Sequence, residues 1–188
     1  KLFEKNSEAR RGKWNKILTL KNSPVLNKYN FLFNENELTL TFKNEEILKI
    51  NTNELIEHDS LSNKILELEH SLQKPIFLMK NIDFPFFDTS ISNKTVLTHS
   101  VSLLNIRSIE DFQNKINEKI EFQRFRGNIY FDGVEAWEER NWIGKIIKIN
   151  NISFKVEKNI PRCVAINLKP NTDDNSLNLL NSLKKTYN

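Results

Sequence analysis

Asn159-Ile-Pro-Arg-Cys-Val-Ala-Ile-Asn167 holds the only cysteine of the 188-residue chain, Cys163. The reading of this stretch decides the rest. A lone cysteine has no intramolecular disulfide partner, so packing or chemistry must account for it. The apolar run that follows predicts a strand over Cys163 to Leu168, with Arg162 directly before its head. A guanidinium beside a thiol favours the thiolate, which attacks electrophiles and binds soft metals, whereas burial favours an inert thiol. By residue type alone, Cys163 is either a small buried hydrophobe or a reactive or metal-binding sulfur.

Upstream of it, Lys145 to Ile149 and Ile152 to Glu157 alternate with period two around Asn150-Asn151, a pair suited to a tight hairpin turn. Downstream, Pro170 and the polar run Asn171 to Asn175 close the segment. An amphipathic helix over about Leu177 to Tyr187 follows. The N-terminal half reads as a meander of strands at Tyr29 to Phe33, Leu38 to Phe42 and Ile47 to Ile50. One helix or a broken pair then lies within Asn53 to Leu72, and Ile76 to Met79 is a short strand. Residues 81–94 are a loop with Phe84, Phe86 and Phe87, either pinned to the core by its aromatics or covering a ligand cleft. Val96 to Leu104 predicts a strand leading into a helix that ends near Glu118, with Ile109, Phe112 and Ile116 on one face. Either Asn105 or Ser108 can cap this helix, and Ser108 with Asp111 approximates a capping box. Strands outnumber helices, so the expected fold is α+β and β-rich, with a barrel-like core and a few peripheral helices.

Composition narrows the function classes. The 28 basic and 24 acidic residues leave a net charge of +4, and the signs are interleaved. Such a surface accepts an anionic ligand without demanding nucleic acid. No apolar run reaches the roughly 20 residues of a membrane helix, and no signal peptide is visible. A single cysteine points away from a disulfide-stapled secreted domain and toward a reducing, cytoplasmic setting. It also cannot hold an iron–sulfur cluster, which takes about four sulfur ligands. His58, His70 and His99 are scattered without metal spacing, and four glycines leave no phosphate-cradling loop. Glu135, Glu138 and Glu139 around Trp137 form either an acidic site or a solvated turn over a buried Trp.

Further segments stand in a fixed order with Cys163. Phe125-Arg-Gly-Asn-Ile-Tyr-Phe-Asp-Gly133 comes first, then Val134-Glu-Ala-Trp-Glu-Glu139 and Trp142-Ile-Gly-Lys145. The hairpin follows, then Pro161-Arg-Cys163 and Asn167-Leu-Lys-Pro-Asn-Thr-Asp173. This order resembles the MOSC domain, found in molybdenum-cofactor sulfurases, the mitochondrial amidoxime-reducing proteins and their bacterial relatives. The family pattern is Arg-x-Asn, an acidic-aromatic stretch, Trp-x-x-Gly, Arg-Cys and a terminal Asn-Pro or Asp-Pro turn. The resemblance is strong from about Val96 to Tyr187. It is weaker over the first half, where Trp14 to Leu26 looks like the family's N-terminal barrel.

The resemblance implies a boundary near residue 80: an N-terminal β-rich region over 1–80 and the MOSC domain over 81–188. Family members continue past the last helix with a glycine-containing strand pair. The chain, which opens at Lys1, is thus expected to be truncated at both ends. The implied cofactor is the molybdenum cofactor, with Cys163 as the protein ligand of the metal and the catalytic residue. Arg126, Asn128 and Arg162 would contact the pterin or phosphate, with Ser102, Asn105 and Ser108 as small polar contacts. Arg11, in the cluster Arg10-Arg11-Gly12-Lys13, would reach the phosphate. Gly127 stands where the family often has proline, and the family's N-terminal Lys-Ser pair has no counterpart. The family also carries an association with pyridoxal phosphate. The implied activity is a molybdenum-dependent oxidoreductase acting on N-hydroxylated or related small molecules, served by a separate reductase or ferredoxin. The alternatives are a sulfur carrier with a persulfide on Cys163 (a sulfurtransferase) or a non-catalytic binding domain. Neither nucleic-acid nor membrane partners are expected, and the oligomeric state stays open.

Overall fold

The computed structural model describes residues 2–4, 18–72, 76–78 and 100–187. Arg10, Arg11, Lys13, the Trp14 segment, the phenylalanine loop of 81–94, His99 and the start of the strand expected from Val96 lie outside the described residues. The chain divides into two compact units, residues 1–93 with 170–174 and residues 94–169 with 175–188.

The first unit is built on a three-stranded antiparallel meander. It comprises β2 (Tyr29–Asn34), β3 (Glu37–Phe42) and β4 (Glu45–Asn51), after β1 (Leu2–Glu4). The turns match the sequence: Glu35 opens the first, and Lys43 with Asn44 makes the second, all at positive φ. Alternation on the central strand sends Leu38 and Leu40 into the core. Helix α1 (Leu55–Leu68) supplies the facing Leu61 and Ile65, four residues apart on one helical stripe. β5 (Ile76–Leu78) pairs antiparallel with β1. Buried His58 is satisfied locally, with Nε2 at 2.9 Å from the Thr52 carbonyl. Buried Glu69 accepts from the Tyr29 hydroxyl and pairs with Lys28 at 2.6 Å.

The second unit opens with a β–α–β crossover: β6 (Leu103–Asn105), α2 (Ile106–Ile116) and β7 (Ile129–Phe131), with β6 and β7 parallel. Asn105 is the N-cap, accepting from the Arg107 N–H at 3.0 Å. Ser108 does not cap, and its expected box with Asp111 does not form. Its hydroxyl instead accepts from the Trp137 N–H and donates to Glu139. The predicted apolar face holds: Ile109 and Phe112 are buried and Ile116 packs beside them, with Phe125, Ile166 and Leu179 completing the cluster. The hairpin of β8 (Ile146–Ile149) and β9 (Ile152–Lys155) turns on Asn150 at φ 52°, as the alternation predicts. Helix α3 (Leu179–Tyr187) closes the unit.

One expectation is corrected, and the barrel-like core is not seen among the described residues. The strand over Cys163 to Leu168 is a 3-10 turn over Val164–Asn167, closed by Ile166 N–H to Cys163 C=O and Leu168 N–H to Ala165 C=O. Ala165 and Ile166 are buried, Ile166 within the helical cluster rather than in a ladder, while Val164 stays exposed. Among the described residues the strands form four small sheets of two, three, two and two strands, and none closes into a barrel. The class is therefore mixed α and β, with three α-helices among the described residues. No helix among the described residues is long and apolar enough to cross a membrane.

Asp111 locks the second unit together. It accepts from Trp137 Nε1 and the Tyr187 hydroxyl, each at 2.7 Å, and from Lys115 at 2.9 Å. The Trp137, Lys115 and Tyr187 hydrogen bonds hold its carboxyl at about 2, below the ordinary 3.8. A carboxyl whose pKa falls on folding stabilises the protein above its unfolded value. That contribution is lost as pH drops from about 4 through about 2. Asp111→Asn should therefore flatten the acid limb of the stability curve in this window. Urea unfolding of both proteins at pH 5, 3.5 and 2.5 measures it, and parallel curves would refute the assignment.

Candidate functional site

Two turns of the second unit carry the residues singled out by the sequence. The first is the 3-10 turn Phe122–Phe125, whose buried Phe125 packs edge-on to Phe112 at 6.5 Å between ring centres. Arg126 ends it in the left-handed region at φ 53°, and its N–H donates to the Gln123 carbonyl. A non-glycine residue held there costs on the order of 1 kcal/mol, a conformation the surrounding packing must enforce. Gly127 follows because the chain passes hard against β6. A Cβ at this position would lie 2.5 Å from Leu104 Cδ1. Its N–H donates to the Tyr130 hydroxyl at 2.9 Å, a bond proline could not make.

Asn128 locks the parallel strand pair to the segment before it. Its Oδ1 accepts from the Ser102 N–H and hydroxyl, both at 2.9 Å, and its own N–H donates to Ser102 Oγ at 3.0 Å. Both side chains lie in exposed surroundings.

The second turn is the one Cys163 introduces. Cys163 has extended backbone and is exposed, which removes the reading of a buried hydrophobe. The residue before it, Arg162, donates from Nη1 to the carbonyl of Phe125 at 3.2 Å and stands over the Phe125 ring at 5.7 Å. Thus the residue preceding the cysteine grips the residue preceding Arg126. Burial pushes the Arg126 guanidinium below its ordinary value, opposed by Cys163 and Tyr130 within electrostatic reach. The same holds at Arg162, where burial is again largest, with Tyr130 and Cys163 opposing. Two arginines therefore share one field with a solvent-facing sulfur. That arrangement can hold an anionic group at the guanidiniums and a soft metal at the sulfur.

The remaining predicted positions divide. Ser102 and Asn128 sit together. Asn105 is fully buried and engaged elsewhere, its Nδ2 donating to the Glu135 carbonyl at 2.8 Å and to Glu139 at 3.1 Å. Ser108 joins it on Glu139, so these two polar groups pin the 135–139 turn to the start of α2. Trp137 within that turn is half-buried rather than buried. Arg11 lies outside the described residues. Sequence reasoning missed Tyr130, whose hydroxyl accepts from the Gly127 N–H and which lies within electrostatic reach of both guanidiniums, and buried Arg124. The only signal for Arg124 was an arginine set between two phenylalanines. Among the described residues no three of His, Cys, Asp and Glu cluster as a metal site, so a metal here would rely on a ligand brought with it.

The MOSC domain family model matches residues 90–187, just over half the chain, and includes both site turns. Mitochondrial amidoxime reducing component 2 of Rattus norvegicus is 31% identical over 72 residues, 38% of this chain and 21% of that protein. Its counterpart in Bos taurus is 28% identical over 89 residues, 47% of this chain and 26% of that protein. The matched stretch thus spans about a quarter of the length of these relatives. No solved structure gives a significant match. A match over this much of the chain decides the family: the protein belongs to the MOSC domain family.

Proposed function

We propose that this chain binds a molybdenum cofactor through Cys163 and serves as an oxidoreductase for N-hydroxylated or related small molecules. The observation that carries the reading is the exposed Cys163 thiol set in the common field of Arg126 and Arg162. The donor set fits such a group. The pterin brings its own sulfurs, so a single protein thiolate suffices, and cations suit its phosphate. When bound, the cofactor supplies the two-electron chemistry that removes an oxygen atom from the substrate.

The chain's own residues bind and orient. Cys163 offers the soft ligand, and Arg126 and Arg162 attract the anionic end. Asn128 and Ser102 hold the backbone beside Arg126 in register. The names of the two mammalian relatives, amidoxime reducing components, support the substrate class. Electrons would reach the site from a separate reductase or ferredoxin, since the one cysteine within these 188 residues is assigned to the metal.

A second reading rests on the same exposed sulfur: a carrier holding a persulfide on Cys163. Protein from a host that makes the cofactor should consume an aryl amidoxime with reduced methyl viologen as donor. Absence of turnover together with cyanide-labile sulfur on Cys163 would transfer the assignment to the carrier.

A further inference from the structure

We infer that Arg124 is a positioning residue that sets the distance between the Cys163 thiol and the two arginines beside it. Arg124 is 3% exposed, yet its guanidinium ties its own turn to the turn that Cys163 begins. Nη1 donates to the main-chain carbonyl of Asn167 at 2.6 Å, at the far end of the turn that Cys163 begins. Nε donates to Glu121 Oε2 at 2.7 Å, at the head of the turn that Arg126 ends. The Asn167 side chain in turn accepts from the Leu180 N–H at 3.0 Å and fixes the same turn to α3.

A buried arginine held by one carboxylate and one carbonyl is costly to desolvate, and a hydrophobe of similar size would fill the same volume. What the guanidinium adds is geometry, since its planar fork specifies two directions at once. Two bridges therefore flank the site: Arg162 to Phe125 on one side of Cys163 and Arg124 to Asn167 on the other. The first involves a residue within electrostatic reach of the thiol, whereas the second acts only through the backbone. Cleaving the second lets the 163–167 turn slide while both arginines of the site remain.

The significance of this distance for a cofactor rests on the proposed function, but its measurement does not. The probe is the cofactor-free protein alkylated at Cys163 by iodoacetate, an anion, and by iodoacetamide, its neutral analogue. The ratio of the two rates at low ionic strength reads how close the guanidiniums stand, because both reagents perform the same substitution on the same sulfur. Arg124→Lys keeps the charge and loses the fork. It should lower the ratio about threefold or more, the order expected when a nearby cation moves away by a few ångströms. Glu121→Gln, which leaves Arg124 in place but loosens its Nε anchor, provides a second arm should the lysine variant fail to fold. Removing a negative charge would by itself raise the ratio, so a fall there reports movement. A purely structural role predicts a lower melting temperature with an unchanged ratio in the folded variant, and that result overturns the inference. Amidoxime turnover does not enter the readout, so a failed cofactor assignment would leave this result standing.

Discussion

Cys163→Ser should fold normally and lose amidoxime turnover by orders of magnitude. The side chain is exposed and makes no cap hydrogen bond, and exposed substitutions of this kind change stability by about 0.5 kcal/mol or less. A serine hydroxyl nearly matches the thiol in shape but is a hard, weakly acidic donor, unsuited to the soft centre the site is proposed to hold. Arg126 and Arg162 would remain, so the anionic end of the cofactor should still be attracted. Thermal unfolding and steady-state turnover of the two proteins, prepared in parallel, check both halves. Wild-type turnover in the serine variant would remove Cys163 from the chemistry.

Phe112→Ala should destabilise the second unit by about 3–5 kcal/mol, the cost of emptying a large aromatic site in a packed interior. Phe112 is 1% exposed and sits between Phe125 and Tyr187, with ring centres 6.5 and 5.9 Å away. That loss is a large fraction of the stability of an ordinary domain. Because Phe125 directly precedes Arg126 and receives Arg162 on its carbonyl, the cavity would also loosen the site. Urea unfolding gives the value, and a change below about 1 kcal/mol would mean that the cluster collapses around the gap.

The elements that sequence alone revealed are those where pattern and turn chemistry agree. The meander and the 146–155 hairpin combine period-two alternation with Asn-rich turns that accept positive φ. Helix α2 showed its stripe through Ile109, Phe112 and Ile116. The run after Cys163 misled because four apolar residues have no periodicity long enough to separate a strand from a 3-10 turn. There the decision lies in long-range contacts, with Arg124 taking the Asn167 main-chain carbonyl that a sheet neighbour would otherwise satisfy and Leu180 N–H bonding the Asn167 side chain. For the same reason Ser108 looked like a cap. Its actual partners, Trp137 and Glu139, lie some thirty residues away. That Arg126 lies within electrostatic reach of Cys163 was legible only through the family pattern. Tyr130 and Arg124 were not legible, because each makes a hydrogen bond with a main-chain group whose position only the folded chain defines.

The most direct test is the molybdenum content per chain of protein isolated from a host competent to synthesise the cofactor, measured together with the reactivity of Cys163. A cysteine-ligated centre predicts about one molybdenum per chain and a thiol shielded from iodoacetamide until the metal is removed. Background molybdenum with a thiol that alkylates freely from the outset would contradict it.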